Sequence, residues 1–135
     1  MSAVRPHGRT CSSLLASVVL TLNARDYTLR YYFEDDVCVM PLTGEFDLSN
    51  AAEIETLIVA AVQGTKPLIV DFSATDYIDS TVLSVLVRQW KRVGRDLRIV
   101  VPRASHIRRI FEVTGLHQRL SVSDTLDDAK AVNRP

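Results

Sequence analysis

The sequence predicts a single mixed α/β domain, and three observations carry that prediction. Short apolar runs at residues 68–72 and 97–101 are bounded by turn residues, as strands buried on both faces are. Between and after them, apolar residues recur at helical spacing. Ahead of both lie two strand-like segments joined by a link so short that it implies an antiparallel hairpin. A chain of 135 residues allows one ordinary domain, and its 47% hydrophobic and 24% charged content is that of a globular chain. At this size about two-thirds of the unfolded surface can be buried, so no disulfide or metal staple is required.

The elements follow in order. Over residues 28–33, Leu29, Tyr31 and Phe33 alternate on one face of a strand, and Glu34-Asp35-Asp36 turns the chain into a second strand at 37–42. Residues 50–63 read as a helix with the apolar stripe Ile54, Leu57, Ile58, Ala61 and Val62. Asn50 is its expected cap, with Glu53 three residues on in a variant of the capping box, and Gly64 its expected stop. The strand at 68–72 precedes a turn-like stretch. A helix bearing Leu83, Leu86, Val87 and Trp90 then runs to Gly94. The strand at 97–101 is stopped by Pro102. A third helix bears Ile107, Ile110, Phe111 and Thr114 and ends at Gly115. A short edge strand at 120–122 and a weak helix around Leu126 and Ala129, capped by Asp124, complete about four helices. Strands alternating with helices imply parallel pairing after the leading hairpin.

The domain is expected over residues 27–132, with a tail at 133–135 and an extension at 1–26 that is poorly ordered or weakly helical. In the extension, Arg5 and Arg9 precede an apolar run at 14–22, as at the start of a secretion signal. The run is too short and too rich in Ser and Thr to cross a bilayer, which takes about 20 apolar residues, and small residues for cleavage are poorly placed. Cys11 and Cys38 form neither a disulfide framework nor a metal spacing, which favours a reducing, cytoplasmic setting. Cys38, between Val37 and Val39, is expected to be a small buried apolar residue.

The 16 basic and 16 acidic residues cancel, so no bulk field draws the chain to nucleic acid or membrane. They are unevenly placed. Residues 26–79 carry 11 acidic and two basic residues, whereas residues 88–109 carry eight basic and one acidic. Two solvated faces account for this, or a partner that reads the acidic half.

In an open α/β sheet, ligands and partners gather at the carboxyl ends of the strands. Those ends carry Gly44-Glu45-Phe46-Asp47 and the stretch 73–80. In Asp79-Ser80-Thr81-Val82-Leu83, two hydroxyls open a helix just behind an aspartate. These residue types suit any helix start, because their oxygens satisfy unpaired N–H groups. A helix start also suits a phosphate, and a hydroxyl there can be phosphorylated.

These stretches resemble the STAS family of anti-sigma factor antagonists. Asp79-Ser80-Thr81-Val82-Leu83 is similar to the family's phosphorylation motif, Asp-Ser-Ser/Thr-Gly-Leu. Gly44-Glu45-Phe46-Asp47 is similar to its Gly-Glu-Leu/Ile-Asp motif. Pro102, Arg108, Phe111, Thr114, Gly115 and Leu116 follow its late pattern, and the likeness runs from about residue 28 to 132. The resemblance implies a partner-switching regulator of transcription in a stress response, with no cofactor and no catalytic residue. The unmodified protein binds an anti-sigma factor, which is also a serine kinase of histidine-kinase-like ATPase fold, and so releases a sigma factor. Phosphorylation of Ser80, or less readily Thr81, ends the binding, and a serine phosphatase resets it. Glu45, Asp47, Asp76, Asp79, Ser80, Thr81 and Val82 are the implied contact residues. The family's glycine is Val82 here, which is expected to add bulk beside Ser80 where a kinase docks. The alternative is an unphosphorylated STAS scaffold in a signalling assembly or on a membrane transport ATPase, with the basic stretch as its docking face.

Other classes fit less well. A receiver domain needs a lysine at a late strand end, and Lys66, Lys91 and Lys130 lie elsewhere. His7, His106 and His117 have no convergent Cys or acidic partner, so no enzyme or metal site is expected. Direct nucleic-acid binding needs aromatic platforms in the basic stretch, but Trp90 and Phe111 fall on core stripes.

Overall fold

A computed structural model describes residues 18–20, 27–34, 36–62 and 67–131. The elements are β1 (Val18–Leu20), β2 (Tyr27–Glu34), β3 (Val37–Phe46), α1 (Ala51–Ala61), β4 (Leu68–Asp71), β5 (Thr75–Ile78) and α2 (Ser80–Val93). A 3-10 turn (Gly94–Asp96) leads into β6 (Leu97–Val100), α3 (His106–Val113), α4 (Leu116–Arg119), β7 (Ser121–Ser123) and α5 (Leu126–Ala131). The sheet order is β1-β2-β3-β4-β6-β7, with β5 against β3. β1/β2 and β2/β3 are antiparallel, and every other pairing is parallel. The predicted mixed α/β domain is therefore present, with five α-helices among the described residues, three of them of eight residues or more.

Alternation along the strands divides the core in two. Cys38, Met40 and Leu42 of β3, Leu68 and Val70 of β4, and Leu97 and Ile99 of β6 join the larger cluster, beneath α1, α2 and α3. Val37, Val39, Ile69 and Val100 face the other way and meet Leu126 and Ala129 of α5. Arg98 shares that second face, and its Nη1 donates to the Ala129 carbonyl at 2.9 Å. In the larger cluster the Phe72 and Phe111 rings lie 5.9 Å apart. Burying each such ring fully is worth about 1.5–3 kcal/mol.

Several local expectations need correction. Val18–Leu20 form an edge strand on β2, in the register Val18↔Tyr31, rather than irregular or helical chain. The rest of the expected extension, including Cys11 and His7, lies outside the described residues, as does Gly64. The turn-like stretch after β4 contains β5, a strand too short to show periodicity. Asn50 makes no side-chain cap on α1, and Glu53 accepts the Tyr27 hydroxyl at 2.6 Å instead of closing a capping box. Asp124 does not cap α5. The Thr125 hydroxyl accepts the Asp128 N–H at 3.1 Å, while Asp124 is drawn away by two arginines.

Candidate functional site

β3 is long enough to serve two neighbours. Residues Cys38 to Pro41 pair with β4, and Gly44 to Phe46 pair with β5. The register shifts between Gly44 and Glu45, a bulge for which Gly44 adopts φ 104°. An L side chain rarely adopts that conformation, so glycine is required there. The Gly44 N–H donates to the Ala74 carbonyl at 3.2 Å, and the buried Thr75 hydroxyl donates to the Leu42 carbonyl at 2.6 Å. These bonds seat β5 with Glu45 opposite Tyr77 and Phe46 opposite Ile78. Phe46 and Ile78 enter the core, while Glu45 and Tyr77 are exposed. Asp47 and Asp79 each follow one residue later, so the two motifs leave the sheet side by side.

A repeated local device holds this end of the sheet. Asp47 Oδ1 accepts the Ser49 N–H at 2.9 Å and its hydroxyl at 2.6 Å. Asp71 Oδ1 accepts from Ser73 at the same two distances. Asp79 Oδ1 accepts the Thr81 N–H at 2.9 Å and also the Thr81 hydroxyl. Each carboxylate satisfies donors two residues on, which turns the chain without help from the core. Asn50, buried, braces the first turn from both sides. Its Oδ1 accepts the Asp47 N–H at 2.8 Å and its Nδ2 donates to the Glu45 carbonyl at 3.0 Å. That bridging role is why it does not cap α1. On the other flank, His106 Nε2 lies 2.5 Å from the Asp76 carbonyl and ties the start of α3 to β5.

Ser80 is the first residue of α2 and is exposed, with Asp79 as the cap. Thr81 is half-buried and its hydroxyl is spent on Asp79. Glu45 and Asp76 are exposed and Asp79 partly so. The geometry thus brings Glu45, Asp47, Asp76, Asp79 and Ser80 to one end of the sheet and leaves Thr81 at its margin. Val82 does not belong there. It is 0% exposed, packed in the core with Leu83 and Leu86, so its bulk points inward and not beside Ser80. The helical period explains this, since residues 82, 86 and 89 share the buried stripe.

Sequence reasoning missed Leu48 and Tyr77. They are 75% and 49% exposed, at the ends of β3 and β5. A large apolar residue inside the polar turn Asp47-Leu48-Ser49-Asn50 was the available signal for the first. The second was hidden because β5 itself was not foreseen.

Residues 44–50 and 73–82 carry four acidic side chains and no lysine or arginine. The basic stretch, by contrast, is dispersed and largely paired. Arg88 grips Glu55 of α1 through two 2.8 Å bonds, and Gln89 adds a third at 2.7 Å. The Arg88 bond chiefly holds the Glu55 carboxyl below its usual range. Arg103 and Arg108 both bind Asp124, at 2.9 and 2.7 Å, and hold its carboxyl low, Arg103 above all. Arg108 also donates to the Val101 carbonyl at 2.9 Å, so this residue of the late motif braces the fold. Among the described residues no three metal-ligating side chains cluster, and no helix is long and apolar enough to cross a membrane.

An exposed serine thus stands at a helix start on the acidic end of a mixed α/β sheet. The STAS-domain model matches residues 28–129, and the chain belongs to the STAS-domain family of anti-sigma factor antagonists. It is 33% identical over 95 residues to the anti-sigma-F factor antagonist RsfB of Mycobacterium tuberculosis, covering 69% of this chain and 78% of that protein. It is 28% identical over 93 residues to an anti-sigma-B factor antagonist of Staphylococcus epidermidis, covering 67% and 86%. The crystal structure of an anti-sigma factor antagonist from Mycobacterium paratuberculosis superposes with a TM-score of 0.73 at 30% identity, covering 84% of this chain and all of that one. The relatives are antagonists by name, in line with the expected binding protein and not an enzyme.

Proposed function

We propose that this protein is an anti-sigma factor antagonist switched by phosphorylation of Ser80. The unmodified form binds an anti-sigma factor of serine-kinase, histidine-kinase-like ATPase fold, and the sigma factor is released. A serine phosphatase restores the binding form. This reading places the protein in the cytoplasm, as a regulator of transcription under stress.

One observation carries the proposal. Ser80 stands exposed at the first position of α2, and its neighbours perform the capping, so its hydroxyl is available to a kinase. Thr81 is the poorer acceptor because its hydroxyl is already bound. A phosphate adds about −1.5 to −2 charges and three strong acceptors. The helix dipole favours it by about 0.3–1 kcal/mol, which the nearby Asp79 carboxylate opposes, so the fold changes little. The effect falls instead on docking. Glu45, Asp47, Asp76 and Asp79 lie on the same end of the sheet as Ser80, and a partner fitted to that surface must desolvate and make room for the new group.

The test is capture from a lysate of the host with wild type and Ser80→Asp as baits, with the phosphate mapped by mass spectrometry. Wild type is expected to capture a histidine-kinase-like ATPase, Ser80→Asp to lose it, and Ser80→Ala to remove the phosphate. Equal capture of one partner by both baits rejects the switch and favours the unphosphorylated scaffold.

A further inference from the structure

Three large hydrophobic residues are exposed among the described residues: Leu48 at 75%, Tyr77 at 49% and Val113 at 74%. Single exposed apolar side chains are ordinary. The placement of the first two is not. Tyr77 is the register partner of Glu45, so their Cα atoms lie about 5 Å apart on adjacent strands. Leu48 is three residues beyond Glu45, hence within about 10 Å of it along the chain. Both therefore stand inside the patch that carries Glu45, Asp47, Asp76, Asp79 and Ser80, well within one standard interface of about 800 Å² per partner. Val113 ends α3, about 11 Å along the helix from His106, whose ring touches β5.

The turn around Leu48 is built to present it. Asp47 binds Ser49, Asn50 binds both Asp47 and Glu45, and Leu48 is left between them facing solvent. The Asp47 and Ser49 N–H groups and the Asn50 side chain are satisfied within this segment, so the apolar side chain is displayed on a braced loop. Tyr77 is held equally firmly, between the buried Ile78 and the Thr75–Leu42 bond. An aromatic and an aliphatic residue on braced backbone in a charged rim is the layout of an interface hot spot.

We infer that Leu48 and Tyr77 are the apolar anchors of the docking surface, and that their occupant is an apolar depression ringed by Lys and Arg on the anti-sigma factor. The inference rests on the antagonist reading and adds what sets affinity and partner choice. The partner chemistry follows from charge complementarity, because the two presenting segments hold four carboxylates and no basic residue. Ser80 is three residues from Tyr77 and, like Leu48, two residues beyond the register pair Phe46↔Ile78, so a group added to its hydroxyl is expected to lift the anchors out of the depression.

The full chain is expressed in its host with the photo-cross-linker p-benzoylphenylalanine at position 48, 77 or 113, and the joined peptides are identified. The expected result is cross-links from 48 and 77, not from 113, to one histidine-kinase-like ATPase, at peptides holding Lys or Arg. Purified with that protein, Leu48→Ala and Tyr77→Ala each weaken binding roughly thirtyfold, and Val113→Ala by less than about twofold. Cross-links to the ATPase from 113 alone, or no loss of affinity in Leu48→Ala and Tyr77→Ala, overturn the anchor assignment and leave the antagonist reading intact. If no position yields such an ATPase, both fall.

Discussion

The acidic and basic stretches of the chain are opposite in charge and opposite in what the fold does with them. At the ends of β3 and β5 the carboxylates of Asp47 and Asp79 organise their own turns, and Glu45 and Asp76 face outward. Nothing in these two segments neutralises them. In the basic stretch, Arg88 is committed to α1, Arg98 to α5, and Arg103 and Arg108 to Asp124. Lys91 and Arg109 are exposed on different helices, α2 and α3. The basic run is thus mostly spent on contacts within the fold, whereas the acidic one includes the exposed Glu45 and Asp76 at the strand ends. The basic run serves cohesion, and recognition by the acidic one is what the proposed function requires.

That contrast can be broken at either end. The largest effect is expected at Ser80, where stoichiometric phosphorylation lowers affinity for the anti-sigma factor about a hundredfold, equal to about 2.7 kcal/mol, with the melting temperature almost unchanged. Calorimetry on both forms measures both quantities. Next comes Arg108→Ala, which removes the bonds to Val101 and Asp124 beneath α3. It is expected to cost about 2 kcal/mol, lowering the melting temperature by about 8 °C, and to leave the affinity of the folded protein unchanged. Asn50→Ala joins the two regions' behaviours. It leaves the Asp47 N–H and Glu45 carbonyl without their buried partner, costs about 1–2 kcal/mol, and weakens binding about tenfold by loosening the Leu48 turn.

Acid sharpens the comparison further. The Glu55 and Asp124 carboxyls sit below their ordinary 4.5 and 3.8 because of their arginine partners. The unfolded chain then takes up protons first, so their contribution is full above those values and is lost as pH falls through the lower folded ones. Arg88→Gln should thus lower the melting temperature at pH 7, and by progressively less as pH falls below 4.5, as a thermal series across pH checks. The smallest effects belong to Lys91→Glu and Arg109→Glu, at exposed positions. Each is expected to change stability by less than about 0.5 kcal/mol and binding not measurably, by denaturation and titration.

Most of the architecture was legible because each long element repeats its own period. The stripe Ile54, Leu57, Ile58, Ala61 and the run Leu68, Ile69, Val70 announce their environments directly. The missed pieces are short. β5 has four residues and β1 three, and each exists because a neighbouring strand offers it bonds. The site was partly legible. Ser80 and the acidic residues stood out as a motif, but Val82 was assigned to the surface by its place in that motif. The helical period, which turns residue 82 inward beside Leu86, was the better guide.

By itself, then, the sequence determined the α/β order, the core stripes and the presence of an aspartate and two hydroxyls at a helix start. These depend on local periodicity and on side chains bonding to backbone a few residues away. The tertiary structure alone decided three things: that Asp47 and Asp79 leave the sheet together, that Leu48 and Tyr77 stand among them, and that the arginines are consumed by Glu55 and Asp124. Each depends on residues roughly 15 to more than 30 positions apart, brought together by strand register and helix packing. No local spacing encodes such a pairing, because it is set by which surfaces bury one another.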